Sequence, residues 1–206
     1  MPEKMIVYVD GFNLYHGIHS KWGRRFLWLD LVALSKAIRP RSTLVKVKYF
    51  TASVLNEPDA QARQNVYIAA LQSVNRGLME TIYGRYQEKS RICFSCGKVS
   101  RLYEEKETDV NIAINILADA AAHAADSFII VSGDSDIAPA VRMARAINPS
   151  AFFAAAFPPS RVSFELQKLM PQSFVIGRAK IAQSLLPEII YDENGLVTQT
   201  RPEKWV

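Results

Sequence analysis

Short apolar runs alternate along this chain with longer segments of helical periodicity, the signature of an open α/β sheet built from parallel strands. The runs at residues 5–9 (MIVYV), 44–52 (LVKVKYFTA), 127–131 (SFIIV) and 151–157 (AFFAAAF) read as strands, with 127–131 the most strongly buried. Helices are expected between them. Leu31, Leu34 and Ile38 repeat at helical spacing before Pro40 stops the pattern. Pro58 and Asp59 open a second helix, with Ala62, Val66, Ala69 and Ala70 as its apolar face. A third helix, Val110 to about Ala122, carries Ile114, Leu117 and Ala121 on one stripe, a fourth runs from Ile137 to Ile147, and Ser160 is the expected cap of a last one. Residues 78–86 and 98–104 form two extended segments around Cys93 and Cys96, a hairpin insert. Beyond Arg178 the chain is a polar tail with a turn at Asp192-Glu193-Asn194-Gly195. The expected organisation is one domain over residues 1–178, with the insert at about 84–104, and a C-terminal tail over 179–206.

A chain of 206 residues that is 49% hydrophobic can build one sizeable core. Its 25 Lys and Arg against 20 Asp and Glu leave a charge of +5, which suits an anionic partner but is weak evidence alone. Two cysteines are too few for a disulfide framework and point to a reducing compartment. The apolar run before Asp10 is too short for a signal peptide, and the longest later one, 151–157, is too short to span a bilayer. The expectation is a soluble cytoplasmic protein with no membrane association.

Asp10 and Asp134 each follow a strand at its carboxyl end, where open α/β sheets place their functional crevice. Asp109 falls at a helix start and Asp136 lies two residues beyond Asp134. Four carboxylates brought together repel one another unless a cation compensates, and Mg²⁺ is held by one or two carboxylates with waters and substrate phosphates. The alternative for Asp109 and Asp136, each taken singly, is helix capping.

The stretches VYVDGFNLYHG, EEKETDVNIAINILADA and IIVSGDSDIAPAVRMA together resemble the three signature blocks of the NYN domain, in the LabA-like branch of the PIN-like ribonuclease superfamily. The resemblance runs over roughly residues 5–178. It implies a Rossmann-like three-layer αβα fold with a mostly parallel central sheet, and an Mg²⁺- or Mn²⁺-binding acidic site that cleaves phosphodiester bonds, mostly of RNA. By matching position, it assigns metal binding to Asp10, Asp109, Asp134 and Asp136, and makes Asn13 the amide companion that binds water or a phosphate oxygen. Ser132 lies near the site, although a turn-forming serine is the simpler reading. Lys106, inside the middle block, is a candidate phosphate contact, and Glu107 a supporting acid or a helix-start residue. The function implied is a metal-dependent ribonuclease; the competing reading is an RNA-binding protein of the same fold that cleaves slowly or not at all.

Other acidic folds fit less well. A haloacid dehalogenase-like phosphatase needs an acid at position 12, which is Phe12, and no GxxxxGK[ST] stretch supports a nucleotide triphosphatase. His16, His19 and His123 are poorly placed for a nucleophilic triad; His16 and His19, in a short segment after the first acid, could touch substrate but read more simply as solvent-facing, and His123 reads as a surface or helix-end residue. Cys93 and Cys96 have half the ligands of a zinc ribbon, so zinc would need histidines from elsewhere or a second subunit in a homodimer, and an unmetallated turn is favoured. Arg85, Arg91, Lys98 and Arg101, interleaved with aromatic residues, offer phosphate and stacking contacts to single-stranded RNA, against the plainer reading of a solvated hairpin. Lys46 and Lys48 read as marks of solvent exposure or a sheet edge.

Overall fold

A computed structural model describes residues 2–92, 94 and 99–205, with the side chains of 88–92 and 100–105 left aside. In chain order the elements are β1 (Lys4–Asp10), α1 (Gly11–Trp22), α2 (Leu31–Ile38), β2 (Thr43–Thr51), α3 (Pro58–Val74), β3 (Met79–Tyr83), β4 (Arg85–Ile92), β5 (Val99–Lys106) and α4 (Thr108–Ala121). They continue with β6 (Ser127–Val131), α5 (Ala138–Ile147), β7 (Phe152–Phe157), α6 (Phe164–Leu169), β8 (Phe174–Val175), α7 (Arg178–Gln183), β9 (Ile189–Tyr191) and β10 (Val197–Thr200). Short 3-10 turns occupy Ser135–Ile137 and Glu203–Trp205.

Six strands form one sheet in the order β3-β2-β1-β6-β7-β8, and every pairing in it is parallel. From β1 the chain builds outward to β2 and β3, then returns to lay β6 against the other side of β1 and builds outward again. Beside β1 the direction reverses, so the connections after β1 and β6 diverge and leave a crevice at their carboxyl ends. The unbroken apolar pattern of β1 has its reason here. Met5, Val7 and Val9 enter a core shared with Leu14, Leu34 and Leu71, while Ile6 and Tyr8 enter one shared with Ile112, Val141 and Leu166 on the other face. The fold is therefore a three-layer α/β arrangement, as the alternating sequence pattern anticipates.

Several local expectations shift. Helix α1, which the sequence analysis did not assign, starts immediately after Asp10 and buries Leu14 and Ile18. On α3 the buried residues are Tyr67, Ile68, Ala70 and Leu71, and Ala62 is exposed. On α4 they are Ile112, Ile116 and Ala120, whereas Ile114 is 57% exposed. Ser163, not Ser160, caps α6 by accepting from the Leu166 N–H. The first extended segment before Cys93 divides: β3 joins the main sheet beside β2, and β4 pairs antiparallel with β5. Cys93, Cys96 and Lys98 lie outside the described residues. After Arg178 the chain forms α7 and the β9–β10 hairpin, and Ile181, Leu186, Ile190 and Trp205 pack into the core.

Lys48 corrects the expectation of an exposed edge. Strand β2 lies between β3 and β1, and Lys48 Nζ meets Asp119 Oδ2 at 2.7 Å with side chains only 12% and 15% exposed. The Tyr8 hydroxyl donates to the same oxygen at 2.6 Å, and Lys48 also donates to Asn115 Oδ1 at 2.9 Å. Burial, then the hydrogen bond to Asp119, pushes the Tyr8 phenol far above the ordinary tyrosine range, so it stays a donor. Asp119 thus fastens α4 to the central strands. Its replacement by Ala leaves the buried Tyr8 hydroxyl without its acceptor and the largely enclosed Lys48 ammonium with only the neutral Asn115 oxygen and no counter-charge. Urea denaturation of Asp119→Ala should show a loss of about 3 kcal/mol, the cost of breaking a buried pair from one side. A loss below about 1 kcal/mol, the scale of an exposed pair, contradicts this account.

Candidate active site

The carboxyl ends of β1 and β6 are tied together by hydrogen bonds that begin at Asp10. This residue is 5% exposed and caps α1, its Oδ1 accepting the Asn13 N–H at 2.9 Å. Its other oxygen accepts from Ser132 Oγ at 2.9 Å, and that same hydroxyl accepts the Asp134 N–H at 3.0 Å. The Asn13 side-chain oxygen accepts the Gly133 N–H at 2.9 Å. Asp134 in turn caps the 3-10 turn, accepting from the Asp136 N–H at 3.0 Å through Oδ1. Capping and gathering are therefore compatible: Asp10 and Asp134 each spend one oxygen on a helix start, and their carboxylates still face a common space.

That space is a cleft of about 200 Å³. Asp10 and Asn13 line it from the β1–α1 junction, Thr108 and Asp109 from the first turn of α4, and Asp134 from the end of β6. The residue before α4, Glu107, holds a left-handed backbone at φ 77° and pairs with Arg85. A non-glycine residue in that region costs free energy that the surroundings must offset, and such residues concentrate at functional sites. Asp136 is exposed and does not line the cleft. Ser132 is fully buried beneath it and joins Asp10 to Asp134, so its hydroxyl sits near the site as a brace instead of simply forming a turn. Lys106 lies half-buried at the end of β5, and Arg85, committed to Glu107, opens β4. Arg91 and Arg101 are on the β4–β5 hairpin with side chains outside the description.

Arg161 is a contributor that the sequence analysis did not single out, and His16 one that it ranked as solvent-facing first. Arg161 lines the same cleft as the acids, carried by the connection after β7. Its position after an apolar strand at the same sheet edge as Asp10 was the signal available. The segment bearing it packs against two glycines: a Cβ at Gly133 would lie 2.1 Å from the Arg161 carbonyl oxygen, and one at Gly17 would lie 2.8 Å from the Pro159 carbonyl oxygen. His16 is exposed, as the simpler reading had it, and also lines the cleft, as the substrate-contact alternative requires. Partial burial of the ring, then the charges of Arg161 and His19, lowers its pKa below the ordinary 6.5.

The donors are carboxylate oxygens, the type that Mg²⁺ and Mn²⁺ take. Among the described residues no three His, Cys, Asp or Glu side chains are grouped closely enough to hold one ion together. The fit is thus to a cation held by one or two carboxylates, with its remaining positions left to water and phosphate, the mode Mg²⁺ prefers.

A doubly wound α/β domain with an acidic crevice at its switch point defines the class. Residues 4–171 match the NYN domain, and the chain belongs to that family, part of the PIN-like nuclease superfamily. It is similar to 6-hydroxy-3-succinoylpyridine 3-monooxygenase HspA of Pseudomonas putida, with 32% identity over 179 residues, covering 70% of this chain and 56% of that protein. The chain thus spans little more than half the length of that relative, whose name describes its own reaction. The crystal structure of a Vibrio parahaemolyticus protein of unknown function superposes with a TM-score of 0.60 at 20% identity, over 90% of this chain and 97% of that one, a likeness of fold. Among the described residues no helix is long and apolar enough to cross a membrane.

Gly133→Ala should lower stability by about 1–3 kcal/mol in urea titrations, because the added methyl meets backbone that cannot turn aside. Unchanged stability would show that the Arg161 segment is free to retreat. In an NMR titration His16 should protonate with a midpoint below 6.5, and Arg161→Gln should move it only part of the way back, since burial is the larger cause. The folded-state value lies below the unfolded one, so this group's contribution to stability is full above pH 6.5 and declines as the pH falls through the folded midpoint. A midpoint at or above 6.5 refutes the assignment.

Proposed function

We propose that the protein is a metal-dependent ribonuclease that hydrolyses phosphodiester bonds in the cleft between β1, α4 and β6. One observation carries the reading: Asp10, Asp109 and Asp134 come from three separate elements to one cleft that also presents the cation of Arg161. Carboxylates attract a divalent cation, and a guanidinium matches the charge and planar geometry of a phosphate. A cleft that offers both is suited to a phosphodiester held between them.

In this proposal one or two of Asp10, Asp109 and Asp134 ligate Mg²⁺ or Mn²⁺ directly, the remaining acid acts through water, and Asp136 adds negative charge nearby. When bound, the ion supplies Lewis acidity that activates water and stabilises the charge developing on phosphorus-bound oxygens. The remaining work falls to the chain itself. Asn13 has its side-chain oxygen fixed by Gly133, which aims its amide N–H groups into the cleft as donors for a phosphate oxygen. Ser132 positions Asp10 and Asp134 without reaching substrate, being fully buried. Arg161 orients the scissile phosphate, and Lys106, with Arg85, Arg91, Lys98 and Arg101 on the hairpin segment, follows the strand beyond it. Hydrolysis adds water at phosphorus and breaks one P–O bond, the leaving oxygen taking up a proton.

The alternative is a protein that grips RNA in the same cleft without cutting it. Asp134→Asn separates the two, because asparagine keeps the cap acceptor for the Asp136 N–H and so preserves the fold. It should lower cleavage of labelled single-stranded RNA by about 100-fold or more, near 2.7 kcal/mol of transition-state stabilisation. It should also shrink the rise in melting temperature that Mn²⁺ produces by mass action. Cleavage by Asp134→Asn at the wild-type rate removes the site; RNA binding without cleavage by the wild type favours the alternative.

A further inference from the structure

Across α1 from the acidic cleft lies a second and larger cavity, of about 350 Å³, within the range of small-molecule sites. Phe12 and His16, one helical turn apart, line both spaces, so the two adjoin through α1. The walls of the larger cavity are aromatic, with Tyr15, Tyr49, Tyr67 and Trp205 around it. They are also held in place. Trp205 lies edge-on to Tyr67 at 5.6 Å between centroids, and the Tyr67 hydroxyl donates to the Leu29 carbonyl at 2.7 Å. Gln64 fastens the segment after β2, donating to the Ala52 carbonyl at 2.9 Å and accepting the Val54 N–H at 2.9 Å. Burial pushes the Tyr49 phenol up to about 12, so that wall stays uncharged at any ordinary pH.

The charged residues of this cavity are Arg24, Arg63 and Lys204 against the single acid Glu57. Among the described residues none of the three cations forms an ion pair. Aromatic walls favour a flat ring, unpaired cations favour an anion attached to it, and the lining that Phe12 and His16 share with the acidic cleft favours a ligand that also reaches what that cleft holds. Lys204 and Trp205 lie beyond residues 4–171, so this part of the wall comes from outside the matched domain.

We propose that this cavity binds the base and sugar of the nucleotide next to the scissile phosphate, with the following phosphate at Arg24, Arg63 and Lys204. The assignment rests on the nuclease reading of the adjoining cleft and adds a base-recognition pocket to it. Selectivity for the flanking base then resides in α1, α3 and the Trp205 segment, and not in the hairpin.

The test titrates the full chain by calorimetry with each of the four ribonucleoside 5′-monophosphates and with inorganic phosphate, in the wild type, Asp134→Asn, Ala60→Phe and Arg63→Gln. Ala60 lines the cavity from α3 and is half-buried, so phenylalanine there fills it from a position able to accept a larger side chain. At least one monophosphate should bind saturably and about tenfold or more tighter than phosphate alone. Asp134→Asn should retain that binding, and Ala60→Phe and Arg63→Gln should weaken it by about tenfold while raising KM for RNA more than they lower kcat. If Ala60→Phe does not fold, as its melting curve would show, Arg63→Gln decides alone, because its side chain is partly exposed and forms no ion pair with a described residue. Monophosphate binding no tighter than phosphate, or binding unaffected by the cavity variants, overturns the proposal. The two readings fail separately. RNA cleaved normally by the cavity variants removes the pocket and leaves the nuclease, whereas no cleavage by the wild type together with pocket-dependent nucleotide binding removes the nuclease and leaves the pocket.

Discussion

The rest of this structure depends on β1 being buried on both faces and paired on both edges. Its side chains divide between two cores, and its backbone is hydrogen-bonded to β2 on one side and β6 on the other, both parallel. A strand so enclosed has no freedom to slide, since a one-residue slip would exchange the contents of the two cores. Its last residue is therefore placed with a precision that no surface loop offers. That residue is Asp10, and the sheet changes its direction of winding beside it. The crevice and its first carboxylate thus follow from one packing constraint.

Keeping an aspartate 5% exposed at that point is unfavourable unless its oxygens are satisfied. The chain meets the requirement with groups already present at the strand ends: the Asn13 N–H at the start of α1 and the hydroxyl of Ser132 after β6. The same serine accepts from the Asp134 backbone, so the two aspartates are registered against each other through one buried atom. Arg161 adds a positive charge to the lining of the cleft, and Gly133 and Gly17 let its segment approach. Charge, hydrogen bonding and close backbone contact reinforce one geometry, the condition for a site that is organised before its ligand arrives.

On the other side of α1 the demands differ. The larger cavity is built of aromatic rings locked by Tyr67, Gln64 and Trp205, with cations at its edge. Acid cleft and aromatic cavity share a helix whose first turns present Phe12 and His16 to both.

By itself the sequence determined the strands at 5–9, 127–131 and 151–157, the parallel α/β class, and the placing of Asp10, Asp109 and Asp134 at strand or helix ends, because those signals are local. A continuous apolar run means burial wherever the rest of the chain goes, and a strand's carboxyl end in this class is where ligands meet it. Faces were another matter. On α4 both the 112/116/120 and the 114/117/121 stripes are apolar or small, so periodicity established a helix without choosing its phase, and packing against α5 and the sheet buried the first. The Lys48–Asp119 pair, the arrival of Arg161 in the cleft of the acids and the contribution of Trp205 to the aromatic cavity join residues far apart in the chain. Only the tertiary structure decided these, because a long-range contact leaves no period in the sequence and exists only once the strand order has set which ends are neighbours.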